Sequence, residues 1–299
     1  MIYTEIIEKN FSKGAASYDK TATFQKYAAG ELAKKIFSRT PELPPGAKIL
    51  ELGCGTGFLT KRLFTQFPEA EITVTDISGQ MLELCKANTN GVKVWKKHFM
   101  KCDFEENIPV GNYDLIVSSL SFQWVLNLRR LAERMSILLS PGGAVFFSML
   151  IEPTFGTLRK SFSDLNIPYP GPRFLTESDI EKTFMVFNDN IFGSDLHREY
   201  YPSTIAFLKH LNSIGSGNAT GETLSVGTLR KVIEYHSRKN FVSGKIRADY
   251  KLLYGICRNK PPELASFSSN EVNFKIAEGR AVSPKPPPQN GRLGEPSLP

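Results

Sequence analysis

A glycine-rich turn in the first third of the chain places the strongest constraint on its fold. The segment Lys48-Ile-Leu-Glu-Leu is typical of a buried strand, and it continues through Gly53-Cys-Gly-Thr-Gly into a helix predicted at residues 58–67. Glycines at alternate positions let the backbone approach a ligand closely. A strand, a glycine turn and a helix in this order predict the first unit of a nucleotide-binding α/β domain.

The next hundred residues continue the alternation of strands and helices. After a helix at residues 18–37, strands are predicted at residues 71–76, 92–95, 113–119 and 144–149, with helices at 78–88 and 126–139. Residues 97–101 match no motif. Strands joined by helices form parallel sheets with right-handed crossovers. We therefore expect an α/β fold with a doubly wound, mostly parallel, seven-stranded sheet.

The pattern changes after residue 149. Helical periodicity at residues 155–165, 177–187, 203–214 and 224–239 surrounds an extended segment at 196–201, and a strand-like run follows at 246–257. We expect the last two strands to complete the sheet, with a helical lid inserted within about residues 151–243. One domain would then cover residues 1–265. The proline-rich residues 266–299 are unsuited to core packing and are predicted to be a disordered tail.

Composition limits the cofactors, the cellular location and the partners that can be expected for this chain. The four cysteines lack metal-ligand spacing, so no metal site is predicted, and no apolar run is long enough to cross a membrane. A cytoplasmic monomer is the simplest expectation. The net charge of +7 is concentrated between residues 225 and 260. That stretch holds the bases Arg230, Lys231, Arg238, Lys239, Lys245, Arg247, Lys251, Arg258 and Lys260. Such clustering indicates either an acidic partner or a solvated basic face.

The ligand of the glycine turn follows from the residues around it. A dinucleotide fingerprint requires glycine where Phe58 stands, and the lysine of a triphosphate-binding loop is absent. Glu51 precedes the glycines and suits a cationic ligand, while Asp76 ends the second strand, where a carboxylate binds ribose hydroxyls. Asp103 follows the third strand and suits an adenine amine. S-adenosylmethionine is therefore the predicted cofactor. Its predicted contacts are Glu51, Gly53, Cys54, Gly55, Asp76, Ile77, Met81, Asp103, Phe104 and Ser119.

Other segments resemble one methyltransferase family. The segments Asn10-Phe-Ser-Lys-Gly-Ala-Ala-Ser-Tyr-Asp, Ser119-Leu-Ser-Phe-Gln-Trp, Pro172-Arg-Phe-Leu-Thr-Glu-Ser-Asp and Tyr250-Lys-Leu-Leu-Tyr-Gly are similar to the malonyl-acyl-carrier-protein O-methyltransferases of biotin biosynthesis. The resemblance covers about residues 5–258. It implies methyl transfer to the free carboxylate of a malonyl thioester. It also implies that Tyr18 and Trp124 line the methyl channel and that Arg173 grips the carboxylate.

The same resemblance suggests a partner for the basic stretch. Acyl carrier protein is strongly acidic and would dock there. Two alternatives remain open: a methyltransferase of a free small acid such as aconitate, and an assembly factor that keeps the fold without this activity. A nucleic-acid methyltransferase is disfavoured, because Ser118-Ser-Leu-Ser stands where an Asn-Pro-Pro-Tyr-like motif would follow the fourth strand.

Overall fold

A computed structural model describes residues 3–40, 42–221 and 223–259 of the chain. The strands are β1 (Lys48–Leu52), β2 (Glu71–Asp76), β3 (Lys96–Lys101), β4 (Tyr113–Ser119), β5 (Leu139–Ile151), β6 (Asp189–Tyr201), β7 (Phe241–Val242) and β8 (Lys245–Arg258). The helices are α1 (Tyr3–Thr21), α2 (Thr23–Arg39), α3 (Thr60–Gln66), α4 (Gly79–Asn88), α5 (Leu128–Leu138), α6 (Gly156–Asp164), α7 (Glu177–Thr183), α8 (Thr204–Ser213) and α9 (Val226–Asn240), with 3₁₀ turns at Phe122–Trp124 and Phe184–Val186. The predicted tail at residues 266–299 lies outside the described residues.

The strands form one mixed sheet in the order β3-β2-β1-β4-β5-β8-β6, and the two-residue β7 pairs with β8. The first five strands run parallel, whereas β8 runs antiparallel to both of its long neighbours, β5 and β6. Strand order reverses between β1 and β4, which is where ligands bind in open α/β sheets. The predicted doubly wound, mostly parallel fold is confirmed.

Both faces of the sheet are covered, as expected for parallel strands. Along β4, Leu115 and Val117 belong to one hydrophobic layer and Ile116 to the other. In the same way Phe146 and Phe147, neighbours on β5, pack into opposite layers. No described helix is long and apolar enough to span a membrane. The sheet is packed on both faces, so loops at its strand ends are well placed to carry a site.

The third strand was predicted in the wrong place. Residues 92–95 were expected to form it, but β3 is Lys96–Lys101, which includes the segment that matched no motif. β3 is an edge strand that pairs only with β2 among the described strands, and its lysines obscure the apolar alternation. Edge strands commonly carry lysine, which discourages pairing with other chains. Val92 and Val94 pack against the core ahead of the strand.

The predicted helix at residues 18–37 is two helices, α1 and α2, which meet at Ala22. Ala22 has φ −81° and ψ 51°, outside the helical region. The break lets the two helices pack against different parts of the fold. α2 packs against β4 and β5 on one face of the sheet, whereas α1 packs against α4 and α8. α1 therefore lies beside the strand ends that carry the glycine turn.

Candidate active site

A deep cleft, here called the main cleft, opens at the carboxyl ends of the first four parallel strands. It encloses about 920 Å³ of atom-free space, part of it open to solvent. Its floor is made by the loops that leave β1, β2, β3 and β4. All ten residues predicted to contact the cofactor line this cleft: Glu51, Gly53, Cys54, Gly55, Asp76, Ile77, Met81, Asp103, Phe104 and Ser119. Sequence positions far apart are thus brought to one wall because parallel strands end at the same edge.

The glycine turn is held against β2 by backbone hydrogen bonds. Gly53 and Cys54 both donate their N–H groups to the Thr75 carbonyl, at 3.0 and 2.9 Å. Gly53, Gly55 and Gly57 have positive φ, a conformation that disfavours other residues. A Cβ atom on Gly55 would have no neighbour within 4 Å, so the backbone there is bare. This opening is where a ligand can approach the main chain.

Asp76 anchors the turn from the end of β2. Its Oδ2 accepts a hydrogen bond from the Gly55 N–H, and its Oδ1 accepts one from the Ser78 N–H, each at 2.8 Å. The side chain is buried, which raises the pKa of Asp76 to about 6, while these backbone donors act in the opposite direction. Each carboxylate oxygen has a second lone pair. Asp76 can therefore hold the loop and still accept from a pair of hydroxyl groups.

Glu51 is the most unusual group in the cleft. It is only 1% exposed, and its Oε2 is buried with no hydrogen-bond partner among the described residues. Burial raises the pKa of Glu51 to about 8; a hydrogen bond with Thr60 opposes this rise, and nearby Asp76 adds to it. Burying a carboxyl oxygen without a hydrogen-bond partner is costly. Such a group beside a cleft fits a cationic ligand that would complete it.

Three further predicted contacts have recognisable structural roles. Asp103 Oδ1 accepts from the Glu105 N–H at 3.0 Å and shapes the loop after β3. The ring of Phe104 packs edge-to-face on Phe122 at 6.3 Å between ring centroids. Burial raises the pKa of the Cys54 thiol. A raised pKa favours the neutral thiol, which suits a small residue in a tight turn better than a nucleophile.

A smaller cavity, here called the inner chamber, adjoins the main cleft and encloses about 430 Å³. The two share Phe11, Tyr18, Gln25, Leu120 and Trp124 as walls. The other residues that line the inner chamber are Gln123, Leu150, Phe155, Pro172, Phe174, Ile214, Ser216 and Tyr250. Among the described residues, none that lines the inner chamber carries a formal charge. Tyr18 and Trp124, both predicted from the sequence, thus lie where the two cavities meet.

Arg173 does not join Tyr18 and Trp124. Within residues 171–175, Pro172 and Phe174 line the inner chamber, whereas Gly171, Arg173 and Leu175 line a surface depression on the other side, here called the outer cleft. The Arg173 side chain is exposed there, in the same cleft as Arg129. The segment therefore separates the two cavities, with its arginine on the outer side.

Comparison with known proteins identifies the family. A methyltransferase-domain model matches residues 49–143. A malonyl-acyl-carrier-protein O-methyltransferase of Ilyobacter polytropus is 32% identical over 265 residues, 86% of this chain and 98% of the relative. That of Anoxybacillus flavithermus is 31% identical over 264 residues, 85% of this chain and 97% of the relative. The chain belongs to the malonyl-acyl-carrier-protein O-methyltransferase family.

Solved structures agree with this fold at low sequence identity. The chain superimposes on magnesium protoporphyrin IX methyltransferase of Synechocystis with a TM-score of 0.53 and 15% identity, covering 86% of this chain and all of the other. It superimposes on the Bacillus YcgJ protein with a TM-score of 0.55 and 14% identity, covering 79% of this chain and 99% of the other. As a member of the malonyl-acyl-carrier-protein O-methyltransferase family, the chain is an O-methyltransferase that depends on S-adenosylmethionine. Glu51 and the open backbone at Gly55 fit that cationic cofactor.

One wall of this methyltransferase site was missed by the sequence analysis. Apart from Tyr18, the predicted contacts included no residue of α1 or α2, yet both helices line the main cleft. The residues that they contribute are Thr4, Ile7, Phe11, Tyr18, Gln25 and Ala29. Ile7, Phe11 and Tyr18 recur at helical spacing, so one apolar face of α1 covers the cleft. That periodicity indicates an apolar helix face in the sequence, but it does not show that the face covers a ligand cleft.

Proposed function

We propose that this chain transfers the methyl group of S-adenosylmethionine to the free carboxylate of a malonyl thioester carried by acyl carrier protein. The product would be the malonyl methyl ester that primes biotin synthesis. The observation that carries the proposal is the junction of two cavities at Tyr18 and Trp124. One cavity suits the cofactor and the other suits an uncharged chain ending in a reactive group. The names of the relatives supply the substrate class.

The reaction requires no proton transfer to or from a protein side chain. A malonyl carboxylate is ionised near pH 7 and is itself the nucleophile, so no general base is required. The cofactor, when bound, supplies an electrophilic methyl group on a positively charged sulfur. The protein must strip water from the carboxylate and hold it in line with that methyl group.

Neutral donors near the junction can orient the carboxylate. Burial raises the pKa of Tyr18, as do the nearby charges of Asp76 and Asp19, so its hydroxyl group stays protonated and can donate a hydrogen bond. The Trp124 indole offers a second donor. Its ring is fixed edge-to-face against Phe11, at 5.4 Å between centroids and 90° between planes. We propose that Tyr18 and Trp124 position the substrate oxygen rather than exchange protons with it.

The uncharged inner chamber favours a thioester over a free diacid. A free dicarboxylate would bring two negative charges into a chamber whose described lining has none to compensate them. Burying such charges without partners is expensive. A malonyl thioester brings only one carboxylate, which would lie next to the cationic cofactor. Five lining residues fall within residues 151–243, which supports our proposal that this region forms a lid: Phe155, Pro172, Phe174, Ile214 and Ser216.

We propose that the carrier docks on a basic face formed by α9. Arg230, Lys231, Arg238 and Lys239 are exposed on this helix. Arg247 and Arg258 contribute less, because they lie 3.1 and 3.9 Å from Asp249 and Asp189. Lys260, the last base of the stretch, lies outside the described residues. An acidic carrier would be steered to such a surface.

A short stretch of chain joins the outer cleft to the helix that carries the basic face. Thr220 lines that cleft, and α9 starts at Val226, six residues later, a span of about 20 Å at most. Arg173 and Arg129 stand in the same cleft. We therefore propose that Arg173 contacts the phosphate of the carrier's pantetheine arm, since guanidinium groups pair well with phosphate. The resemblance assigned it to the malonyl carboxylate, which this placement does not favour.

A direct assay tests the proposed function. Purified protein is incubated with labelled S-adenosylmethionine and malonyl-carrier, and mass spectrometry locates the new methyl group. We expect one methyl ester on the terminal carboxylate of the malonyl group, and no label on the carrier that lacks a malonyl group. Label on the unacylated carrier, or none on malonyl-carrier with active cofactor binding, would refute the proposal.

A further inference from the structure

Gln123 stands between the inner chamber and the outer cleft. It belongs to the 3₁₀ turn Phe122–Trp124 that follows β4, next to Trp124. Among the described residues, it is the one that lines both the inner chamber and the outer cleft. It does not line the main cleft. A substrate arm that entered from the outer cleft would pass this side chain before its end reached Tyr18.

The Gln123 amide is held in one orientation. Its Nε2 donates a hydrogen bond to the Leu120 carbonyl at 2.7 Å. Reversing the amide would set two acceptor oxygens against each other, so the orientation is fixed by this bond. The other end of the amide, Oε1, is buried with no hydrogen-bond partner among the described residues. The side chain that lines both cavities thus holds a fixed, unpaired acceptor.

An unpaired buried acceptor calls for a ligand that donates. The malonyl carboxylate and the thioester carbonyl offer only acceptors, so neither satisfies Oε1. The pantetheine arm carries secondary amides, and the nearest one follows the sulfur after two methylene groups. Its N–H group is the donor that would lie beside Gln123 if the malonyl end occupied the inner chamber and the arm extended towards the outer cleft.

We propose that Gln123 Oε1 accepts a hydrogen bond from this amide N–H and thereby selects thioesters on a pantetheine-type arm. This inference rests on the proposed function. It assigns Gln123 a role in substrate specificity, distinct from the methyl channel at Tyr18 and Trp124. Because the group recognised lies beyond the sulfur, removing it alters the substrate without touching the carboxylate or the thioester.

Three small malonyl thioesters test the inference on the wild-type protein. One carries N-acetylcysteamine, the second carries its N-methylated amide, and the third carries an alkyl chain of equal length. We expect kcat/KM to fall about tenfold from the first to the second and third, the size of one hydrogen bond that leaves a buried acceptor unpaired. Equal values for all three would overturn the role of Gln123. Failure of all three, and of malonyl-carrier, would overturn the proposed function instead.

Two variants test whether Gln123 causes this preference for a thioester with an amide N–H group. In Gln123→Leu, the ratio of kcat/KM between the N-acetylcysteamine and alkyl thioesters should fall from about ten to about one. The matched control is Gln25→Leu. Among the described residues, Gln25 is the other amide in the inner chamber whose Oε1 is buried and unpaired. In this control the ratio between the two thioesters should stay near ten even if both values of kcat/KM fall. A ratio within one variant is independent of how much protein is active. An unchanged ratio in Gln123→Leu, or an equal loss in Gln25→Leu, would contradict the inference.

Discussion

The main cleft and the inner chamber share five wall residues but differ in their charge. The main cleft contains two buried carboxyl groups, Glu51 and Asp76, and a bare glycine backbone. The inner chamber, among the described residues, is lined by apolar side chains and neutral polar groups. This difference in charge indicates which of the two ligands each cavity binds. We propose that the buried carboxyl groups balance the positive charge of the cofactor, and that the cofactor in turn balances the negative charge of the substrate carboxylate.

Glu51→Gln should have the largest effect, because it removes the charge on which this contrast depends. Breaking a buried charge pair costs on the order of 3–5 kcal/mol, so cofactor Kd should rise by at least about a hundredfold. Calorimetric titration measures this change. The control is Glu71→Gln, a partly exposed carboxylate that binds Lys96 and His98 at the sheet edge. Cofactor affinity of Glu51→Gln within threefold of wild type would show that the main cleft is not charge-selective.

The pH dependence of cofactor binding should be the next largest effect. The pKa of Glu51 is about 8 in the free protein, so below pH 8 its carboxyl group binds a proton that a cationic ligand must displace. Kd should therefore rise as pH falls from 8 to 6.5, by at most about tenfold per pH unit. Calorimetry at several pH values measures this dependence of Kd on pH. In Glu51→Gln the part of the dependence caused by Glu51 should disappear, and any part caused by titration of the ligand itself should remain.

The same group should make the free protein respond to pH in the opposite direction. With a pKa of 4.5 unfolded and about 8 folded, Glu51 holds more protons in the folded state between these values. Its contribution to the free energy of unfolding is therefore full below pH 4.5 and is lost as pH rises towards 8. The melting temperature of the free protein should drop over this range more steeply in wild type than in Glu51→Gln. Equal slopes would contradict the buried-acid assignment.

Tyr18→Phe should affect the junction between the cavities. Loss of one hydrogen bond to the substrate carboxylate should lower kcat about tenfold, since bonds to charged groups contribute about 1.5–3 kcal/mol. Cofactor Kd should change less than threefold, because the aromatic ring that lines the main cleft remains. Single-turnover kinetics with calorimetry separate the two quantities. A cofactor affinity that falls as much as turnover would place the Tyr18 hydroxyl group in the main cleft alone.

Charge reversal on the basic face should have the smallest effect. Arg230→Glu with Lys231→Glu should raise KM for malonyl-carrier about three- to tenfold at low salt and leave kcat nearly unchanged, because steering acts on association. Added salt should raise the wild-type KM in the same way. The control pair, Lys26→Glu with Lys61→Glu, changes the net charge equally on the exposed surfaces of α2 and α3. Equal effects of both pairs would remove the assignment of docking to α9.

The two cavities also differ in how much of them the sequence revealed. Every predicted cofactor contact lines the main cleft, because each one lies at the carboxyl end of a strand or in the segment that follows it, and these strand ends meet at one edge of a parallel sheet. The inner chamber draws its walls from α1, α2, the 3₁₀ turn, β5, β8 and the loops around residues 120, 155, 172 and 214. No local motif joins segments so far apart, so only Tyr18 and Trp124 were anticipated there.

Two further differences have local physical causes. β3 was misplaced because an edge strand is under no pressure to alternate apolar and polar residues. Arg173, which the resemblance assigns to the carboxylate, lines the outer cleft, because adjacent residues of its irregular segment line opposite cavities and tertiary packing sets the register of such a segment. Its role in substrate binding stays a prediction. Neither the edge position of β3 nor that packing can be deduced from composition or periodicity.

The contrast between a charged cleft and a neutral chamber is tested most directly by substrate discrimination. The measurement is kcat/KM for the N-acetylcysteamine thioester of malonate against free malonate, with the same enzyme, buffer and cofactor concentration. The free diacid brings a second charge that the described chamber does not compensate, so the thioester should be preferred by at least about a hundredfold. Comparable values for the two would contradict the neutral chamber and support a methyltransferase of free small acids.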